Sequence, residues 1–482
     1  MDATPLNILN MINKIYYFIA LFFIANVLNA QYISEVLEYK PAPGQFINKT
    51  PWGLPASANS LIGTVTGSLS LGAFGGYVVF KFEEPVKNHP DNPFGVDFTI
   101  FGNPLVDWSE HGIVSVMRDD NENGLPDDTW YELAGSDYFF SSTIKGYEVT
   151  YTNPNQPKAA DVPWYDNQGN SGVVLANSFH NQPYYPSIEN FPDINSTEYT
   201  LSGTRVSDEV DKSNPTFVKS SKKAFGYADN QYRGKAPYTV PDNPYTPDKE
   251  NAGGDAFDIS WAVDENGEYV DLDEIHFVKV HTAALGNGGW LGEISTEITG
   301  ASVVEPNSSI TGELDLIVIK DLPKEIEGNS FQLEAFAFHK GRWDRSRAIK
   351  WTSTLSGASV NNDNLLTFNS SGEITLTASL ADRPEITATV STTLAYDETS
   401  SSIAQEELGK IAIYPNPAID NIHVTGLENA TVEIYNIAGT CLYTINEYSS
   451  SQPISVAHFA NGIYVLKIDG LNFRKTIRFI KR

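Results

Sequence analysis

Apolar and polar residues alternate with a period of two through most of the chain, the mark of half-buried strands. In the first block the alternating runs fall at 77–82, 96–101, 112–117, 147–151, 257–263 and 275–280. A second set, at 314–319, 331–338, 349–352, 365–368, 374–378 and 387–393, recurs at the short spacing of a β-sandwich. A third set lies beyond 411, where Ile, Val and Tyr alternate with polar residues around 411–424, 432–437 and 463–468. The first block shows no amphipathic helix of useful length and no repeat of fixed period. Between 151 and 253 the regular pattern breaks down into Pro, Asn, Tyr and Asp. A long loop-rich insertion in a β-domain commonly carries a binding surface. The pattern predicts an all-β chain. Its parts are a jelly-roll-like β-sandwich over 31–303, a second β-sandwich over 304–393, an acidic, Ser/Thr-rich linker over 394–410 and a small C-terminal β-sandwich over 411–482.

The start of the chain departs from alternation. Lys14 precedes a long apolar run over 15–28 with few polar interruptions, and Ala30 offers a small residue at which a cut would leave Gln31 first. The run is short of the ~20 residues that span a bilayer, so residues 1–30 read as a signal peptide beginning at Met1 or Met11. No cysteine follows the run, which excludes a lipid anchor there.

Three stretches resemble known families. Tyr414-Pro415-Asn416-Pro417, Tyr435-Asn436 with Gly439, Gly462-Ile463-Tyr464 and the basic last strand together resemble the type A C-terminal sorting domain of the Bacteroidetes type IX secretion system. That resemblance implies export by the type IX machinery, then removal of the domain with attachment at the outer-membrane surface or release. Trp351 in Ile-Lys-Trp-Thr-Ser, with the Ser371-Gly372-Glu373 turn, resembles bacterial Ig-like domains, so 304–393 is expected to be an Ig-like β-sandwich. The large block resembles exported Bacteroidetes cell surface proteins. It does so through 39–48 (Tyr-Lys-Pro-Ala-Pro-Gly-Gln-Phe-Ile-Asn), 75–79 (Gly-Gly-Tyr-Val-Val), 97–103 (Asp-Phe-Thr-Ile-Phe-Gly-Asn), 124–136 (Gly-Leu-Pro-Asp-Asp-Thr-Trp-Tyr-Glu-Leu-Ala-Gly-Ser) and 289–293 (Gly-Trp-Leu-Gly-Glu). This resemblance implies a link to surface nutrient uptake, corrinoid systems among them, with an outer-membrane receptor as a partner.

Charge narrows the partners. Sixty acidic against 32 basic side chains give a net charge of −28, which repels nucleic acid and anionic lipid. The last domain holds six basic and five acidic residues, so the excess acid lies on the earlier blocks. The single cysteine, Cys441, excludes an internal disulfide and any Cys-based metal cluster.

The strongest candidate for chemistry is Asp119-Asp120-Asn121-Glu122-Asn123-Gly124-Leu125-Pro126-Asp127-Asp128. Oxygens at positions 1, 3 and 5 and Gly at 6 match the first half of an EF-hand-like calcium loop. Asp119, Asn121 and Asn123 would point inward, Leu125 would offer its carbonyl, and Asp127 or Asp128 would complete the shell. Trp130 stands where a bidentate Glu is usual, with Glu132 as a substitute. A polar turn without an ion is the competing reading. His276 and His281 are five apart on a strand and so face opposite ways. Glu110-His111, near that loop, admits a metal or acid–base role, with a surface or satisfied histidine as the favoured reading. The run 342–347, Arg-Trp-Asp-Arg-Ser-Arg, reads as a hairpin tip with internal ion pairs. Trp164, Tyr165, Tyr184, Tyr185, Tyr245 and Trp290 sit among Asn, Asp, Gly and Pro, where flat rings suit stacking on a sugar or other ring-shaped ligand. No nucleophile elbow, zinc-protease or phosphate-loop motif occurs. The chain therefore reads as a calcium-stabilised, non-catalytic binder of an extracellular glycan or corrinoid-type nutrient. A secreted polysaccharide hydrolase and an adhesin are the alternatives.

Overall fold

The computed structural model describes residues 31–232, 244, 254–397 and 411–482, apart from 428, 437–439, 451 and 471–473. The expected signal peptide, Tyr245 and residues 398–410 of the expected linker lie outside them. The chain divides into two compact units. The first runs to Val318 and takes in Phe336–Arg347; the second comprises Ile319–Ala335 and Ala348–Arg482. Among the described residues the one α-helix is the single turn Pro55–Ala58, so the fold is all-β as the alternation predicts.

The first unit is a β-sandwich with an added layer. Its six-stranded antiparallel sheet runs in the order Ile33–Lys40, Tyr77–Phe82, Phe277–Thr282, Gly112–Met117, Trp130–Leu133 and Ala262–Val263. Register places Val78 opposite Val280 and Phe80 opposite Val278, with Val114 and Val116 on the far side. Period two then turns these side chains to one face, where all are buried. Opposite them lies a sheet of Asp255–Phe257, Phe98–Phe101 and Gly300–Val303. Phe98 stacks on Phe257 with centroids 5.5 Å apart and meets Phe82 of the facing sheet at 6.4 Å. Each such side chain contributes about 1.5–3 kcal/mol on burial. Strands late in the block return to the middle or edge of sheets begun early, the long-connection topology of a jelly-roll-like sandwich.

The insertion after 151 is more regular than its prolines suggest. Ser171–Val174, Val162–Asp166, Ile144–Thr152 and Glu198–Arg205 form a four-stranded antiparallel sheet. Its Tyr147, Val149, Tyr151 and Leu201 pack a second core with Phe74, and Tyr39 and Tyr77 of the six-stranded sheet lean on that core. Pro163 is tolerated because it lies second in a short strand, and its neighbours pair through their own amides.

The division beyond 303 differs from the expected boundary. Phe338 is fully buried in the sandwich core, against Phe225 at 5.2 Å. The Trp261 indole donates to the Lys340 carbonyl at 2.8 Å, and Phe336 and Trp343 close over Phe139. The alternating run expected at 331–338 is in fact two strands, Ser330–Gln332 and Ala335–His339, in different sheets.

In the second unit, Glu325–Gly328, Thr387–Tyr396, Gly372–Leu380 and Ile349–Ser353 form one sheet, and Ser330–Gln332, Leu365–Phe368 and Ala358–Val360 another. Leu333, Leu366, Phe368, Ile374 and Leu376 fill the space between, and the Trp351 indole donates to Asn364 at 2.8 Å. Leu394 is buried in this core, so the strand runs on to Tyr396 where a linker was expected from 394. The C-terminal part of the unit has a four-stranded sheet, Cys441–Tyr448, Ala430–Tyr435, Gly462–Asp469 and Arg474–Lys481, with a core of Val432, Ile434, Tyr448, Leu466, Ile468 and Phe479.

This division generates a prediction. In scanning calorimetry of the full chain, Phe338→Ala is expected to destabilise the first unit by about 3–5 kcal/mol and leave the second unit's transition in place. Leu376→Ala is expected to do the reverse.

Candidate functional site

The loop between Gly112–Met117 and Trp130–Leu133 gathers its polar side chains inward. Asp119 accepts the amides of Asn123 at 3.1 Å and Gly124 at 2.8 Å. Asn121 and Asn123 both donate to Asp127, at 3.1 Å to its nearest oxygens. Gly124, at φ 75°, supplies the left-handed turn that brings these residues together. The side-chain oxygens of Asn121 and Asn123 accept the amides of Asn123 at 3.0 Å and Leu125 at 2.7 Å, and the Leu125 carbonyl accepts the Asp127 amide at 2.9 Å, the contacts of a hydrogen-bonded polar turn. Asp128 is spent differently, accepting the Asp120 amide at 3.0 Å. Glu132 does not replace the missing ligand. Its strand carries it away to accept from the Thr204 hydroxyl and to lie 4.0 Å from Lys145.

The aromatic candidates separate by burial. Tyr184 and Tyr185 are 1% and 3% exposed, and their hydroxyls bond the Asn177 amide and the Asn195 carbonyl. They are core residues with no ring face open to a ligand, which corrects the sequence expectation. Trp164 is half-buried over Gly172, where a Cβ would come within 2.6 Å of the ring. Tyr165, next along the strand, faces solvent. Trp290 stands 51% exposed on the turn Gly289–Leu291.

Trp290 borders a concave site. It stands at the rim of a groove of about 490 Å³ with Leu105, Val106 and Phe217, all exposed. Gln45 fixes this rim: its side chain donates to the Leu291 carbonyl at 2.8 Å and accepts from Asn177 at 2.6 Å. The Gln45 amide in turn donates to Glu293 at 2.7 Å. Trp108, Asn103, Glu110 and Glu297 line the groove further in.

The carboxylates here were not singled out by sequence. Glu110, Asp229 and Glu297 each place an oxygen within 4.8 Å of the other two. Burial pushes the Glu110 carboxyl up to about 7. Burial and then the neighbouring charges push Asp229 and Glu297 well above the carboxylate range. Burial raises Glu293 to about 7 as well. Two full charges 4 Å apart repel by about 4 kcal/mol at an effective dielectric of 20, so the cluster is stable only with protons or a cation in it. Glu110 belonged to a noted pair and Glu293 to a noted motif, but among 60 acids no spacing joins residues 110, 229 and 297.

The histidines do not meet. His276 accepts the Asp119 amide at 3.1 Å, whereas His281 is buried against Phe74 and Thr204. His111 is buried, and desolvation and Lys223 hold its ring neutral.

A second cleft, of about 860 Å³, includes Arg342, Trp343 and Arg345. Their partners lie mostly outside the hairpin, contrary to expectation. Arg345 bonds Glu268 at 2.9 Å, Arg342 lies over Tyr269 at 4.5 Å, and Arg347 pairs with Asp315 at 2.7 Å. Asp258 in this cleft is raised to about 6, chiefly by burial. A carboxylate raised above its unfolded value costs nothing below about pH 4 and destabilises progressively as pH rises through about 6. Asp258→Asn is therefore expected to match the wild type near pH 4 and to exceed it by on the order of 3 kcal/mol at pH 7.5 in urea denaturation, at 1.36 kcal/mol per unit. An equal difference at both pH values would contradict this.

Residues 412–482 match the family described as the secretion system C-terminal sorting domain. No curated protein matches the chain. Similar solved structures include the Escherichia coli adhesin FdeC, at 9% identity over 44% of this chain and 78% of that one, with a TM-score of 0.15. PorZ, a surface component of the type IX secretion system of Porphyromonas gingivalis, is 11% identical over 84% of this chain and 43% of its own, TM-score 0.15. Dimeric latent PorU of the same organism is 10% identical over 70% and 30%, TM-score 0.17. At these scores no shared overall arrangement follows. The C-terminal match implies interaction with the type IX secretion machinery. The chain thus carries a secretion system C-terminal sorting domain and is a type IX-sorted Bacteroidetes surface protein, exported and then attached at the cell surface or released.

Proposed function

We propose that the protein is a non-catalytic binder that captures a glycan at the cell surface in the groove beneath Trp290. One observation carries this reading: exposed rings and aliphatic side chains, Trp290, Phe217, Leu105 and Val106, stand over polar groups, Asn103, Glu110 and Glu297, in a groove of about 490 Å³. Sugars present an apolar ring face and a hydroxyl edge, and this pairing of surfaces suits both. The volume lies within the range of small-ligand sites. A corrinoid would have to leave much of its bulk outside, which favours the glycan. The 119–128 loop would be set by calcium through Asp119, Asn121, Asn123, Leu125 and Asp127, and extracellular millimolar calcium is enough for a weak site.

Two experiments test the reading. The full chain is applied to a glycan array and to cobalamin, and the best ligand is titrated calorimetrically. Trp290→Ala is expected to weaken binding at least tenfold, about 1.4 kcal/mol, while Tyr184→Phe leaves it unchanged. Binding of cobalamin alone, or release of reducing sugar, would overturn the glycan reading. For the loop, 2 mM calcium is expected to stabilise the protein by about 1 kcal/mol, a few degrees in melting temperature. Asp119→Ala with Asn121→Ala should diminish that rise; an unchanged rise would remove the loop as a calcium site.

A further inference from the structure

The geometry points to a second divalent-cation site, of calcium type, formed by Glu110, Asp229 and Glu297 at the inner wall of the groove. One oxygen from each lies within 4.8 Å of the others, a span that one ion bridges. All the donors are carboxylate oxygens, the preference of a hard cation. The independent sign is Glu297, 6% exposed, whose Oε1 is buried with no hydrogen-bond partner. A buried carboxylate oxygen left bare is costly, and an ion satisfies it.

The remaining contacts, which include hydrogen bonds between Glu297 and Glu110, between Glu297 and Ser295 and between Glu110 and Trp108, orient the donors without supplying positive charge. Asp229 accepts the amides of Asn103 at 2.7 Å and Glu297 at 2.9 Å. Glu110 accepts the Ser295 amide at 3.0 Å. Gly102 leaves the room: a Cβ there would sit 2.3 Å from Asp229 Oδ1. Among the described residues no Lys or Arg forms an ion pair with any of the three. Because Glu110 and Glu297 also line the groove, an ion can enter from solvent. The site does not depend on what ligand the groove holds.

The test uses the full chain carrying Asp119→Ala and Asn121→Ala, so that the exposed loop does not contribute. After chelation, calcium is titrated calorimetrically, and terbium luminescence sensitised by the nearby Trp108 is recorded. One ion per chain is expected to bind. Glu297→Gln in the same background, near-isosteric, should weaken binding at least tenfold and abolish the luminescence. In chelator it should melt no lower than its parent, which separates loss of an ion from loss of fold. Glu110→Gln serves as a second variant with the same expectation. No calcium heat in the parent, or equal affinity in parent and both Gln variants, would overturn the site.

Discussion

The first unit depends on buried carboxylates that accept backbone amides from loops. A sandwich satisfies the amides of its strands through ladders, but the segments between them must find partners elsewhere. Asp97 takes the Ile259 amide at 2.7 Å, and Asp255 takes those of Asn230 and Gln231, both at 3.0 Å. Asp229 ties Asn103 to Glu297, and Glu293 holds Gln45. Where such an acceptor keeps its charge, each hydrogen bond to it is worth about 1.5–3 kcal/mol, more than a neutral one. Each carboxylate must also lose water, which raises its proton affinity and leaves the loops sensitive to whatever neutralises it. The groove is a product of this arrangement: its rim hangs from Gln45 and its inner wall is the carboxylates themselves.

Lys223 shows the opposite solution. Its ammonium is almost wholly buried between Asp137 at 2.6 Å and Glu209 at 2.5 Å. There the acid is balanced by protein, and the pair holds the Lys223 charge firmly. Among the described residues no Lys or Arg pairs in this way with Glu110, Asp229 or Glu297. The contrast separates a fastening from a place left for something else.

The strands were legible because alternation is a local property. Val78, Phe80, Val114 and Val116 announce their face within a few residues, and the Tyr-Pro-Asn-Pro start of the last domain is compact enough to recognise alone. What escaped reading depends on contacts across long separations. Tyr184 and Tyr185 have the same Pro- and Asn-rich neighbours as Trp290, and only packing tells which rings are covered. Phe338 alternates like a residue of the second sandwich, yet its ring closes the first. The carboxylate trio draws on residues 110, 229 and 297, and nothing at any one of them indicates the other two. The 119–128 loop was readable because its turn chemistry is contiguous. Even so, the roles of Asp128 and Glu132 needed the fold.

The passage of the chain out of the first unit at Val318 and back at Phe336 has a consequence for the order of events during synthesis and export. The sandwich lacks Phe338 and the acceptor for Trp261 until residues near 340 are available, so its core cannot close as each earlier strand emerges. Without them Phe139 and Phe225 lack the rings that cover them, and the Trp261 indole lacks its acceptor. The late hairpin is thus a clasp on the first unit, supplied by residues that follow nearly all of its strands in the chain.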